Sequence, residues 1–149
     1  MRGHMNESPL HGSCLCGAVT FEVTPPFPRM VHCHCSRCRK ASGTGHATNM
    51  ITMDPGQLKW LTGEALIARY DLPGARSFGK CFCKQCGSPL PRVTPNGKAV
   101  VIPAGSLDEP PPNSPTDRIF YGSRAPWSCE AGDLPAHDEY PESWLAPKK

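Results

Sequence analysis

Nine cysteines in a chain of 149 residues carry most of the chemistry legible in this sequence, and eight of them fall in three short motifs. The motifs are Cys14-Leu-Cys16-Gly17, Cys33-His-Cys35-Ser-Arg-Cys38 and Cys81-Phe-Cys83-Lys-Gln-Cys86-Gly87. A Cys-x-x-Cys turn sets two sulfurs on one side of a knuckle, close enough to share a tetrahedral ion, and a glycine after it permits the backbone conformation that closes the turn. Gly87 occupies that position after Cys86. In an extended Cys-x-Cys, residues i and i+2 point to one face and the residue between points away. Cys14 and Cys16 are therefore expected to chelate together, and His34 to turn away from an ion held by Cys33 and Cys35, on the same side as His32.

A chelating pair is half a tetrahedral site, so Cys14 and Cys16 with Cys83 and Cys86 complete a closed four-thiolate site, the usual form of structural zinc. Cys33, Cys35 and Cys38 offer three sulfurs and leave one position for water, substrate or a further side chain. An open position marks a catalytic zinc. Spacing alone does not decide the pairing, because Cys81-x-Cys83-x-x-Cys86 repeats the spacing of Cys33-x-Cys35-x-x-Cys38. Two closed sites would use Cys81 as an eighth ligand; one closed and one open site use seven and leave Cys81 and Cys129 as ordinary thiols.

Three thiolates donate heavily and leave a dication with a net charge near −1, so a bound water is less acidic there than beside neutral imidazoles. Hydrolysis is not the natural task of such a site. A thiol is a better fourth ligand, since zinc favours sulfur and a coordinating thiol loses its proton. Arg37, Arg39, Lys40, Lys80 and Lys84 crowd the motifs. They could hold carboxylates of such a thiol, but offsetting thiolate charge or facing solvent is the favoured reading for each. His46 could assist proton transfer near neutral pH, although a surface or core-satisfied histidine is the better account of it.

The rest of the composition fits a metal protein. Aromatic residues make up 7% of the chain and large aliphatics are sparse, so the apolar core is thin and needs a supplement. No apolar run matches a secretory leader, which points to a reducing cytoplasm where cysteines bind metal rather than form disulfides. No window approaches 18 consecutive apolar residues, so no membrane span is expected. The formal charge of +3 disappears once seven thiols ionise around two dications, and with few aromatics this argues against a nucleic-acid partner. Met1-Arg2-Gly3-His4-Met5 reads as a cloning remnant over 1–5, ahead of a start at Met5, and a single domain is expected over 12–141.

Short strands must position the ligands. Val19, Phe21 and Val23 alternate with small or polar residues and predict a strand over 17–23; Pro25, Pro26 and Pro28 end it. Further strands are expected over 31–35, 47–53, 65–70, 77–83 and 98–102, with strand-like character at 119–121. A turn or short helix carries Cys38, Arg39 and Lys40. Asp54-Pro55 offers a cap for a brief helix or 3₁₀ turn through Trp60. The acidic, proline-rich stretch 107–115 reads as a surface loop, and no structure is assigned beyond Trp127. The pattern is that of a mainly β fold.

Gly12-Ser-Cys-Leu-Cys-Gly-Ala-Val19, His32-Cys-His-Cys-Ser-Arg-Cys-Arg-Lys40 and Phe82-Cys-Lys-Gln-Cys-Gly87 together resemble the glutathione-dependent formaldehyde-activating enzyme family, over nearly the whole chain. The resemblance implies a mainly β fold of coiled antiparallel sheets, the β-tent type, with two zinc ions. It makes the Cys14, Cys16, Cys83 and Cys86 site structural and the Cys33, Cys35 and Cys38 site catalytic, and gives no role to Cys81 or Cys129. The implied activity is that of a carbon–sulfur lyase joining a small-molecule thiol, glutathione or similar, to formaldehyde or another small aldehyde as an S-hydroxymethyl adduct. The competing expectation is a non-catalytic zinc module, with two closed sites, that binds a protein partner.

Overall fold

The computed structural model describes residues 8–128, 132 and 134–145. The proposed remnant at 1–5 and the thiol of Cys129 lie outside the described residues. Strand β1 (Leu10–Ser13) forms a hairpin with β2 (Thr20–Val23), in register from Leu10 opposite Val23 to Ser13 opposite Thr20, and β5 (Leu58–Thr62) completes a three-stranded antiparallel sheet. The alternation in β2 sends Phe21 and Val23 into the core, where both are fully buried, while Thr20 and Glu22 stay partly exposed. Burying an aromatic of this kind contributes on the order of 1.5–3 kcal/mol. Gly12 lies opposite Phe21, and a β-carbon there would run into the Phe21 ring.

The second sheet contains β3 (Arg29–Cys33), β4 (Ala47–Thr52), β9 (Arg92–Val93), β10 (Val100–Pro103) and β11 (Asp117–Ile119) in the order β11-β3-β4-β10-β9. Its pairs are antiparallel except that β11 runs parallel to β3. The third sheet is antiparallel and joins β6 (Ile67–Asp71), β7 (Gly79–Cys83) and β8 (Pro89–Leu90). Met50, Leu90, Val100 and Ile102 meet Phe21 in the common core, which also takes in the buried sulfurs of Cys14, Cys81 and Cys83. The mainly β, antiparallel architecture expected from the sequence is present.

Several elements differ from the sequence-based expectation. β1, β8 and β9 were not anticipated: two- to four-residue strands carry too little alternation to be read. Asp54 does cap a 3₁₀ turn, accepting from Gly56 N–H at 2.9 Å, but the turn covers only Pro55–Gln57. Leu58 to Trp60 belong to β5 instead, because β2 offers them a pairing edge. The extended stretch near 119–121 ends at Ile119: Phe120 takes a left-handed conformation (φ 52°), and a 3₁₀ turn follows over Tyr121–Ser123.

Candidate metal centres

The first cysteine pair sits in the β1–β2 turn rather than in an extended strand. Gly17 N–H donates to Cys14 O at 3.0 Å and Cys14 N–H to Val19 O at 3.0 Å, so the chain curls around the sulfurs while Leu15 projects into solvent. The two sulfurs are brought together by this curl, not by a strand's alternation. The second pair lies at the end of β7, where Gly87 N–H donates to Cys83 O at 2.7 Å and Gly87 takes a positive φ of 76°. Leu15 N–H donates to Ser88 Oγ at 3.0 Å and fixes one turn against the other.

All four sulfurs, of Cys14, Cys16, Cys83 and Cys86, lie within 4.8 Å of one another. Cys14 and Cys16 are 3.6 Å apart, and Cys16 and Cys83 are 3.9 Å apart. Amide groups point at the cluster: Val19 N–H donates to Cys14 Sγ and Gln85 N–H to Cys83 Sγ, each at 3.3 Å. Such bonds favour the thiolate. The Ser88 hydroxyl, followed by its amide, pulls the Cys86 thiol down to about 5.

The second cluster forms where β3 runs into helix α1 (Ser36–Ser42). Cys33 ends the strand, Cys35 is the helix N-cap with its sulfur accepting from Cys38 N–H at 3.3 Å, and Cys38 is buried in the first turn. The helix stops at Gly43, whose N–H donates to Arg39 O at 2.8 Å in a left-handed cap. The three sulfurs lie within 4.8 Å of one another, and among the described residues no histidine, carboxylate or further cysteine joins them. Burial pushes the Cys38 thiol up, with Cys33 adding to the effect. A cation that replaces this proton removes the cost of ionising a buried sulfur.

His34 points away from the sulfurs. Its buried ring stands 5.1 Å from Tyr121, edge-on, and 5.0 Å from His46, whose ring centre in turn lies 4.2 Å from that of His32 at a tilt of 53°. His32 Nδ1 is 2.8 Å from Thr48 Oγ1, and burial together with the neighbouring His46 holds the His32 ring below the ordinary histidine value. His46 also lines a cavity beside Cys38.

Cys81 is outside both clusters. It faces Arg69, whose Nη1 lies 3.9 Å from its sulfur, and burial pushes its thiol up. The basic residues near the motifs are mostly engaged elsewhere: Lys80 Nζ donates to Ala41 O at 2.7 Å, Lys84 Nζ to Ala65 O at 3.3 Å, and Arg39 to the carbonyls of His34 and Ser123 at 3.4 Å. Arg37 and Lys40 are exposed. The sequence reading passed over Arg92, which the fold brings to the second cluster. Its position after Pro91 in a two-residue strand carries no local signal.

A cavity of about 280 Å³, with Cys38, His46, Asn49, Phe78, Cys81 and Arg92 in its wall, lies beside the second cluster. A groove of about 500 Å³ is lined by Cys33, Cys35 and Cys38 and shares Cys38, Asn49, Phe78 and Arg92 with the cavity. Two separate thiol clusters, one of four sulfurs and one of three beside a cleft, give a protein of mainly β class two candidate metal sites.

The family model described as glutathione-dependent formaldehyde-activating enzyme matches residues 9–123, and the chain belongs to that family. A Halomonas elongata protein that carries the family's name is 36% identical over 110 residues, covering 71% of this chain and 70% of its own length. An uncharacterised lyase of Schizosaccharomyces pombe is 28% identical over 88 residues, 58% of this chain and 59% of that protein. A crystal structure of a Rhodobacter sphaeroides protein aligns with a TM-score of 0.56 at 21% identity, over 73% of this chain and 99% of that one, and shares the fold.

Proposed function

We propose that the protein is a zinc enzyme that adds a small-molecule thiol, glutathione or a relative, to formaldehyde or another small aldehyde. The observation that carries this reading is the three-sulfur cluster of Cys33, Cys35 and Cys38, which has no fourth ligand among the described residues and opens on a cleft. The sulfur-only donor sets suit zinc. With Zn–S bonds of about 2.3 Å, tetrahedral ligand sulfurs lie about 3.8 Å apart, and the separations of 3.6 and 3.9 Å in the first cluster match that. Family membership and the name carried by the Halomonas elongata relative favour glutathione and formaldehyde.

Zinc at the second cluster would supply a Lewis-acidic position at which a thiol gives up its proton. The chain's own part is to hold that position with three thiolates on a short strand-to-helix segment and to leave one side open to the cleft. Addition then forms one carbon–sulfur bond: the sulfur lone pair attacks the carbonyl carbon, the π pair moves to oxygen, and oxygen takes up the proton the thiol has lost. The product is an S-hydroxymethyl thiol, and the reverse step is a carbon–sulfur lyase reaction. The four-sulfur cluster, joining two turns far apart in sequence, is read as structural.

Exchange of ¹³C-formaldehyde with its glutathione adduct, followed by NMR, tests this. The zinc-loaded protein should accelerate exchange above the spontaneous rate and Cys35→Ser should not. Equal rates with and without the intact protein would contradict the proposal.

A further inference from the structure

Arg92 stands out among the cations near the second cluster because it is placed by packing and has no carboxylate to balance it. It is half-buried on β9, with its guanidinium 5.2 Å from the centre of the Phe78 ring, and it lines both the 280 Å³ cavity and the 500 Å³ groove. Among the described residues no Asp or Glu lies within ion-pair distance of it, whereas Arg69, its neighbour across Cys81, is held by Asp71 at 3.0 Å. Burial disfavours its charge, and the sulfurs of Cys38, Cys81 and Cys33 offset that only in part. Arg37 and Arg76 line the same groove but are exposed, and Lys80 spends its ammonium on Ala41 O.

A half-buried guanidinium that no carboxylate pairs is costly unless an anion completes it. Its planar fork, already held over an aromatic face, loses little freedom when it grips a carboxylate bidentately. A molecule with its sulfur at the Cys33/Cys35/Cys38 cluster extends into space lined by Arg92 whether it turns toward the cavity or the groove.

We propose that Arg92, backed by Phe78, is a carboxylate-binding subsite that selects anionic thiols for the second cluster. The inference rests on the reading of that cluster as an open thiol-binding metal site. It predicts a preference for a thiol with a carboxylate a few bonds from sulfur over the same thiol uncharged. Arg92 is then a specificity residue, and its removal should change which thiols bind without removing the metal.

The test compares 3-mercaptopropionate with its methyl ester, which differ in charge at one end. Each is titrated into cobalt-substituted protein, and dissociation constants are read from the sulfur-to-metal charge-transfer band, with metal content measured in parallel. The intact protein should bind the carboxylate about tenfold or more tightly than the ester. Arg92→Gln should abolish most of that preference while leaving ester affinity and metal content unchanged, and Arg92→Lys, which keeps the charge but loses the fork, should retain part of it. Equal affinities for the two thiols in the intact protein would overturn the subsite while leaving the open site standing. So would an undiminished preference in Arg92→Gln, or loss of both thiols together with metal, which would make Arg92 a charge balance for the cluster. No spectral response to either thiol would overturn the open site and the subsite with it.

Discussion

At the scale of residues, the proposed function gives the two clusters different duties although their side chains are chemically identical. Cys16 and Cys83 meet at 3.9 Å although 67 positions separate them, whereas Cys33, Cys35 and Cys38 span six consecutive residues. An ion at the first cluster therefore closes a long loop and an ion at the second closes almost none. Cys81 has the spacing of a ligand but faces Arg69, so Cys81→Ser should retain both metal ions and bind thiols unchanged. Metal analysis and a thiol titration check this, and loss of one equivalent of metal would return Cys81 to the ligand set. The three cysteine motifs were legible in the sequence because ligand spacing within a turn is local, whereas spacing left the place of Cys81 open and the seven-ligand allocation came with the family resemblance. Arg92 was not legible, because its place depends on β9 joining β10 and on the approach of Phe78 from ahead of β7.

At the scale of elements, the turns that carry the ligands depend on particular backbone allowances. Gly12 faces the fully buried Phe21 ring, which a β-carbon would overlap, so Gly12→Ala should destabilise the protein by roughly 1–3 kcal/mol through overpacking. Urea unfolding measures it; a change below a few tenths would mean that the β1–β2 hairpin shifts freely. Gly87 has open space around it but a φ of 76°, and Gly87→Ala should cost about 1 kcal/mol for the left-handed conformation alone. Strand β2 was readable from the alternation of Phe21 and Val23, and β4 from its run of extended-favouring residues. The segment Leu58 to Trp60 was read as helical because Asp54-Pro55 is a genuine cap. A cap starts a turn without fixing its length, and pairing with β2 decides where this one stops.

At the scale of the whole molecule, the core is small and the four-cysteine cluster lies against it, with Cys14 and Cys83 buried among Val19, Phe21 and Leu90. The purified protein should carry about two zinc ions per chain, because one complete and one three-sulfur cluster are present. Elemental analysis after gentle purification tests the number, and a reproducible value near one would remove the second site. Removing metal with a strong chelator should occur in two steps, the second cluster emptying first while the protein stays folded, and circular dichroism recorded alongside metal release would show it. Simultaneous loss of both ions with the fold would contradict the division of labour.

That division is the central claim, and one paired measurement addresses it directly: zinc content and thermal unfolding of Cys83→Ser beside Cys35→Ser. Binding free energy at a structural zinc is folding free energy, on the order of 10 kcal/mol and comparable to the whole stability of a domain. Cys83→Ser should therefore unfold or aggregate. Cys35→Ser should remain folded, keep about one zinc and lose thiol binding. If Cys35→Ser collapses the fold as severely as Cys83→Ser, both ions are structural and the open-site account fails.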